Sequence, residues 1–303
     1  MVDEMRQTDL TSPYFPAVVE LSVAKAALSP LKTFLLGVLS GTHIAFGAFM
    51  VLAVGGACPS LANANPGLKQ IVSGLFGLPF GLLLTILSGG ELFTANTAFL
   101  TTGFVEKKVD WKDVLKNWAF SFAGNFAGAL LIAKLAFAAG TLGDGPAAIA
   151  TAIAKTSLDP ETLFIRGVLC NWLVGLAAYM ASGCSSAVSK LTAILFPIAA
   201  IVALGLEHSV ANMFFVPFGI MRGAKLTYED FIFKNLIPVT LGNLVGGAGA
   251  VGLGYSAVFG SLLDRVSSLQ RGLVGTLSNV GPSPTRTTPG SPYKVMNIRG
   301  GSA

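Results

Sequence analysis

Three stretches of this chain are long enough to cross a bilayer and carry no charged residue at all: Thr33 to Ala57, Gly167 to Ser189 and Asn235 to Leu263. A membrane-spanning helix needs about 20 consecutive, mainly apolar residues. A fourth stretch, Asn117 to Ala139, holds only Lys134, near its end, where a long side chain can snorkel toward water. Composition agrees. The chain is 52% apolar and 12% charged, against about 25% charged residues in an ordinary soluble domain. An all-α integral membrane protein follows. The net charge of +5 does not point to nucleic acid, because the basic residues sit in loops and tail, where the positive-inside rule places them. Placing both termini on the cytoplasmic side puts most Lys and Arg there. Cys58, Cys170 and Cys184 show no metal spacing, so neither a metal nor a cofactor is expected.

Two further apolar stretches are too long for one simple span. Gln70 to Val105 and Leu191 to Met221 each carry one interior acid, Glu91 and Glu207. Small and polar residues surround each acid: SGGELFTANT in the first, GLEHSVAN in the second. Both are read as discontinuous helices broken near mid-membrane, giving six transmembrane helices with the second and fifth broken. Three regions are expected: a pre-membrane segment over 1–30 without a secretory signal, a channel domain over 31–263, and a flexible basic tail over 264–303.

The chain repeats itself. FLLGVL at Phe34 to Leu39 is answered by FIRGVL at Phe164 to Leu169. Glu91-Leu-Phe-Thr-Ala-Asn96 is answered by Glu207-His-Ser-Val-Ala-Asn212, and Gly124-Asn125-x-x-Gly128 by Gly242-Asn243-x-x-Gly246. The order is the same, at offsets of 130, 116 and 118 residues. Three spans per repeat force opposite insertion of the halves, so these are expected to be two inverted three-helix repeats. The pathway then runs between them, with its midpoint at the paired breaks.

Backbone groups freed inside a membrane must find partners or line a wet cavity. A half-helix starting at a break points its N–H groups and positive dipole end inward, which suits an anion. Thr94 and Asn96 are expected to cap the first half-helix, Ser209 and Asn212 the second. Asn125 and Asn243 are expected to bind the freed backbone. Glu91 and Glu207 have two readings: turned away from the pore and accepting hydrogen bonds from backbone N–H groups, or handling protons. His208, next to Glu207, is the one histidine at a break. In apolar surroundings a neutral imidazole can still donate a hydrogen bond to an anion or share a proton with it. His43 has no such context.

GGELFTANT, KNWAFSFAGNFAGA, the LCNW around Asn171, LEHSVANMFFVPFG and KNLIPVTLGN together resemble the formate/nitrite transporter family, from about Phe34 to Gly260. The algal plastid branch is the most similar, which favours a chloroplast inner envelope over a bacterial plasma membrane. The resemblance implies an aquaporin-like protomer with its own pore, a homopentamer in lipid, and small monovalent anions (nitrite, formate, bicarbonate) as substrates. It implies that Leu92, Phe93 and Thr94 form a gating loop, that His208 is the central histidine, and that Lys155, sixteen residues before Asn171, serves the pore with it. Two constriction positions often Phe in the family are Leu78 and Ile201 here, and Leu82 fits a third. The main alternative is a neutral-solute channel of water or glycerol type, but the chain has no Asn-Pro-Ala turn. No GxSxG, HExxH or aspartyl pair suggests an enzyme.

Overall fold

The computed structural model describes the backbone of residues 14–278 and the side chains of 14–270. By contacts the chain divides into a unit ending at Leu262 and a second from Leu263 onward. Among the described residues of the first, every regular element is helical: α1 (Phe15–Ala26), α2 (Pro30–Gly56), α3 (Pro59–Ala64), α4 (Pro66–Phe76), α5 (Leu78–Ser88), α6 (Phe93–Val105), α7 (Trp111–Ala138), α8 (Pro146–Thr156), α9 (Pro160–Ser182), α10 (Ala187–Ala203) and α11 (Ser209–Met221). A last membrane helix spans Tyr228–Phe259 and turns π-helical over Phe231–Leu236 and Val245–Leu253. The helix Leu262–Ser278 lies across the division and into the second unit. The expected flexibility of the tail beyond it falls outside the described residues.

Local sequence explains the helix starts. Ser29-Pro30 opens α2, with the Ser29 side chain accepting from the Lys32 N–H. Asp159-Pro160 opens α9 at the matched repeat position, with Asp159 accepting from the Thr162 N–H. Proline suits the first helical turn because its missing N–H would have no partner there. The Thr162 backbone hydrogen bond holds the exposed Asp159 carboxyl below its usual range.

Among the described residues, five helices are long and apolar enough to cross a membrane: α2, the run Pro66–Ser88, α7, α9 and Tyr228–Phe259. The expected fifth crossing is the shorter pair α10 and α11. The second crossing is less simple than expected, since α4 and α5 part at Gly77 before the main break. A Cβ on Gly77 would run into the Val51 side chain, so α2 presses against the chain there. Large apolar side chains such as Phe196, Phe233 and Val258 are exposed on the outer faces, as lipid-facing residues of an integral membrane protein are.

The helix crossings repeat as well. A Cβ on Gly124 would collide with the Phe34 carbonyl, and one on Gly242 with the Phe164 carbonyl. Glycine is therefore what lets α7 lie on α2, and the last membrane helix on α9. In the N-terminal segment, α1 packs on α6 and buries Val18, Ser22 and Lys25.

Candidate functional site

Each long crossing breaks at a glycine in the left-handed region: Gly89 at φ 74° between α5 and α6, and Gly205 at φ 64° between α10 and α11. They occupy matched repeat positions, 116 residues apart. The backbone groups freed there are satisfied by one asparagine in each half. Asn125 Oδ1 accepts from the Phe93 N–H at 2.9 Å, and its Nδ2 donates to the Gly37 and Glu91 carbonyls at 2.8 and 2.9 Å. Asn243 Oδ1 accepts from the Ser209 N–H at 2.9 Å, and its Nδ2 donates to Gly167 and Glu207 at 2.9 and 3.0 Å. A buried amide that fills this many partners replaces the water a break would otherwise need.

The glutamates do not bind the backbone N–H groups of the breaks, as one of their two readings had it. Each is held by a lysine and by asparagine, two for Glu91 and one for Glu207. Glu91 accepts from Lys25 Nζ at 2.6 Å, Asn96 at 2.7 Å and Asn117 at 2.8 Å. Glu207 accepts from Lys155 Nζ at 2.9 Å and Asn212 at 2.7 Å, and Asn212 in turn donates to Asn235 at 2.9 Å. The Asn235 amide closes the second ring by donating to the Lys155 carbonyl at 2.7 Å. A carboxylate at this depth is tolerated because a cation and amide donors replace its hydration. Lys25 lies 130 residues before Lys155, so the two ion pairs are repeat-related.

Capping also differs from expectation. Thr94, Asn96, Ser209 and Asn212 leave the N–H groups of the half-helix starts to others. Asn125 serves α6, and His208 is itself the N-cap of α11, its Nδ1 accepting from the Ala211 N–H at 3.1 Å. A ring nitrogen that accepts carries no proton, so the neutral ring is protonated at Nε2. That nitrogen lies 2.9 Å from Thr94 Oγ1, the direct hydrogen bond linking the two breaks.

Two cavities approach His208 from opposite sides. The wider, about 430 Å³, is lined by Lys155, Glu207, His208 and Asn212 among others. The other, about 290 Å³, is lined by Lys25, Glu91 and Asn96. Between them lies a slot of about 10 Å³ walled by Ile44, Leu78, Leu82, Leu92, Val174, Ile198, Ile201 and His208. That is roughly the space of one water molecule. The slot is apolar apart from the imidazole.

Leu78, Leu82, Leu92 and Ile201 thus meet at the constriction, with His208 at its edge. Phe93 does not: it is buried edge-on against Phe122, with ring centroids 5.0 Å apart. Asn171 lines none of the three cavities. Its Nδ2 donates to the Thr94 carbonyl, Thr97 Oγ1 and the Asn243 carbonyl at 3.1, 2.9 and 2.6 Å, joining the halves behind the slot. Thr94 is buried and reaches the pathway through His208. His43 lies outside these cavities, and its Nδ1 has no partner. Lys25, Ile44, Val174 and Ile198 were not anticipated. For Lys25 a signal existed, since the 130-residue offset that pairs FLLGVL with FIRGVL also pairs it with Lys155.

Residues 13–257 match the family described as "Formate/nitrite transporter". A "Probable formate transporter" of Methanothermobacter thermautotrophicus is 41% identical, over 77% of this chain and 89% of its own length. Among solved structures, one titled "FNT family ion channel" superposes with a TM-score of 0.73 at 30% identity, covering 80% of this chain and 97% of that one. Another, "Pentameric formate channel with formate bound", gives 0.66 at 30% identity, covering 76% and 97%. The relatives bearing names are formate transporters and channels, so the similarity does not single out an algal plastid branch.

Proposed function

This chain belongs to the formate/nitrite transporter family, a family of transport proteins and not of enzymes, and we propose that it conducts formate and similarly small monovalent anions through the slot at His208. The two halves act as inverted repeats, five copies assemble into a pentamer, and each copy carries its own pathway. The observation that carries this reading is the sequence of environments along the path. A cavity holding a lysine opens onto an apolar slot about one water wide, edged by a single imidazole, and a second lysine-bearing cavity follows.

Each lysine draws anions into its cavity while its glutamate partner keeps the resting charge low. The apolar slot opposes passage of a bare charge. A weak-acid anion lowers that cost by accepting the hydrogen bond of His208 Nε2–H, which Thr94 Oγ1 otherwise engages at 2.9 Å, and it crosses as the neutral acid by taking a proton from bulk water, not from the neutral ring. Leu78 and Ile201 narrow the slot, and Leu92 closes it from the first break. The pentamer follows the quaternary form named for the formate-bound relative.

The test is uptake into proteoliposomes holding the purified protein, with formate, nitrite, bicarbonate and water compared side by side. Saturable formate or nitrite flux exceeding that of empty vesicles is expected. Water flux without anion flux would mark a neutral-solute channel and sink the proposal.

A further inference from the structure

The two cavities hold the same core and differ in what is added to it. Lys155 with Glu207 on one side, and Lys25 with Glu91 on the other, are each close to neutral as a pair. The wider cavity also contains Arg166 and Lys69 in its wall, whereas the narrower adds only Lys32. Among the described residues neither Arg166 nor Lys69 has a carboxylate within ion-pair distance. The repeat counterpart of Arg166 is Leu36, the third residue of FLLGVL where the second half has FIRGVL. The guanidinium is thus an addition peculiar to one mouth.

Its position is fixed by the second break. The Arg166 carbonyl accepts from the Glu207 N–H at 3.4 Å, and Arg166 Nη1 donates to the Gly205 carbonyl at 3.2 Å. A guanidinium has five N–H donors, so most remain for a ligand in the cavity. Lys69 reaches the same space from α4. Its Nζ lies 3.3 Å from where a Cβ on Gly55 would stand, so its stem rests on α2. Gln70 and Thr151 in the same wall add neutral hydrogen-bonding groups.

We infer that Arg166 and Lys69 form a second anion site in the wider cavity, selective for a small dicarboxylate, which binds there and obstructs the slot. Two unpaired cations in one cavity of about 430 Å³ are balanced by two negative charges, and a monovalent anion leaves one of them uncompensated. Arg matches a carboxylate through two parallel N–H···O bonds, and Lys supplies a point charge for the second carboxylate. The bound dianion cannot follow formate onward. Entering the apolar slot of about 10 Å³ would strip water from two charges at once, with one imidazole to compensate. Inhibition is therefore sided: it acts from the face where α8 and Arg166 lie and not from the face of α1. The inference rests on the conduction proposed above for its obstructing effect, but not for the binding itself.

The probe is oxalate, measured in two ways on the full-length protein. Calorimetry on the purified protein reads binding directly, and formate flux in oriented proteoliposomes reads obstruction with oxalate added to either face. Wild type is expected to bind oxalate and to lose formate flux from one face only. Arg166→Leu should weaken binding by about tenfold or more, and Arg166→Lys, which keeps the charge and protects folding, by less. Lys69→Gln should weaken it too, whereas Lys32→Gln in the opposite cavity should not. Absence of oxalate binding to wild type, or equal affinity in the wild type and both Arg166 variants, overturns the site. Arg166-dependent binding without any formate flux would overturn the conduction reading and leave the site standing. Formate flux without such binding would do the reverse.

Discussion

The break between α5 and α6 and the break between α10 and α11 share nearly all of their parts. Both have a left-handed glycine, a glutamate bound to a lysine and an asparagine, and a second asparagine that satisfies the freed backbone. Even the lysine's ring neighbour is matched: Lys25 lies 5.9 Å from the Phe99 centroid and Lys155 lies 5.4 Å from that of Phe215. The residue following each glutamate is not matched. It is Leu92 in the first break and His208 in the second. Leu92 only fills the slot, whereas His208 caps α11 and reaches Thr94. Shared parts serve the shared problem of holding a broken helix in a membrane. Of the unshared positions, that of His208 carries the chemistry.

Equivalence of the two supports can be broken most forcefully at the acids. Glu91→Ala strands the buried Lys25 and Glu207→Ala the partly buried Lys155, and each should cost up to about 3–5 kcal/mol. Melting of the detergent-solubilised protein should show similar losses, and a large loss at only one site would end the claim of equivalence. Asn125→Leu and Asn243→Leu come next. Each leaves the first N–H of a half-helix without its acceptor, at about 1–3 kcal/mol, again expected to be alike in the same assay. Gly89→Ala and Gly205→Ala force a Cβ into the left-handed region, at roughly 1–2 kcal/mol. A Cβ would meet nothing within 4 Å at Gly89 and only Arg166 Nη1, at 3.9 Å, at Gly205, so strain alone should set both values. Thr94→Val is the mildest for stability. It removes one hydrogen bond to His208, worth about 0.5–1.5 kcal/mol, and should alter the pH profile of anion flux more than the melting temperature.

Much of this comparison could be read from the sequence, because a repeat writes the same contact twice. E-x-x-x-A-N located both breaks, and the Gly-Asn-x-x-Gly pairs located the asparagines that support them. What the sequence could not convey was direction. Phe93 follows Leu92 directly, yet the turn at Gly89 sets α6 so that Leu92 enters the slot and Phe93 packs on Phe122. Asn171 looked like a pore residue and instead fastens α9 to the Thr94 carbonyl and to the last membrane helix. Lys25 escaped notice because its partner Glu91 is 66 residues away and the segment around it reads as a polar approach to the membrane. Ile44, Val174 and Ile198 are apolar residues among many, and only the packing of four helices selects them.

The most direct test of the central claim gives the second break the residue that follows the glutamate in the first. His208→Leu gives both halves the same residue after the glutamate and leaves both ion pairs in place. The variant should remain folded, losing a cap worth about 1 kcal/mol. Formate flux in proteoliposomes should fall by about a hundredfold, the scale of a lost hydrogen-bond donor to an oxyanion in an apolar site. Formate flux equal to that of wild type, in a variant of confirmed fold, would contradict the assignment of the chemistry to the residue that follows the second glutamate.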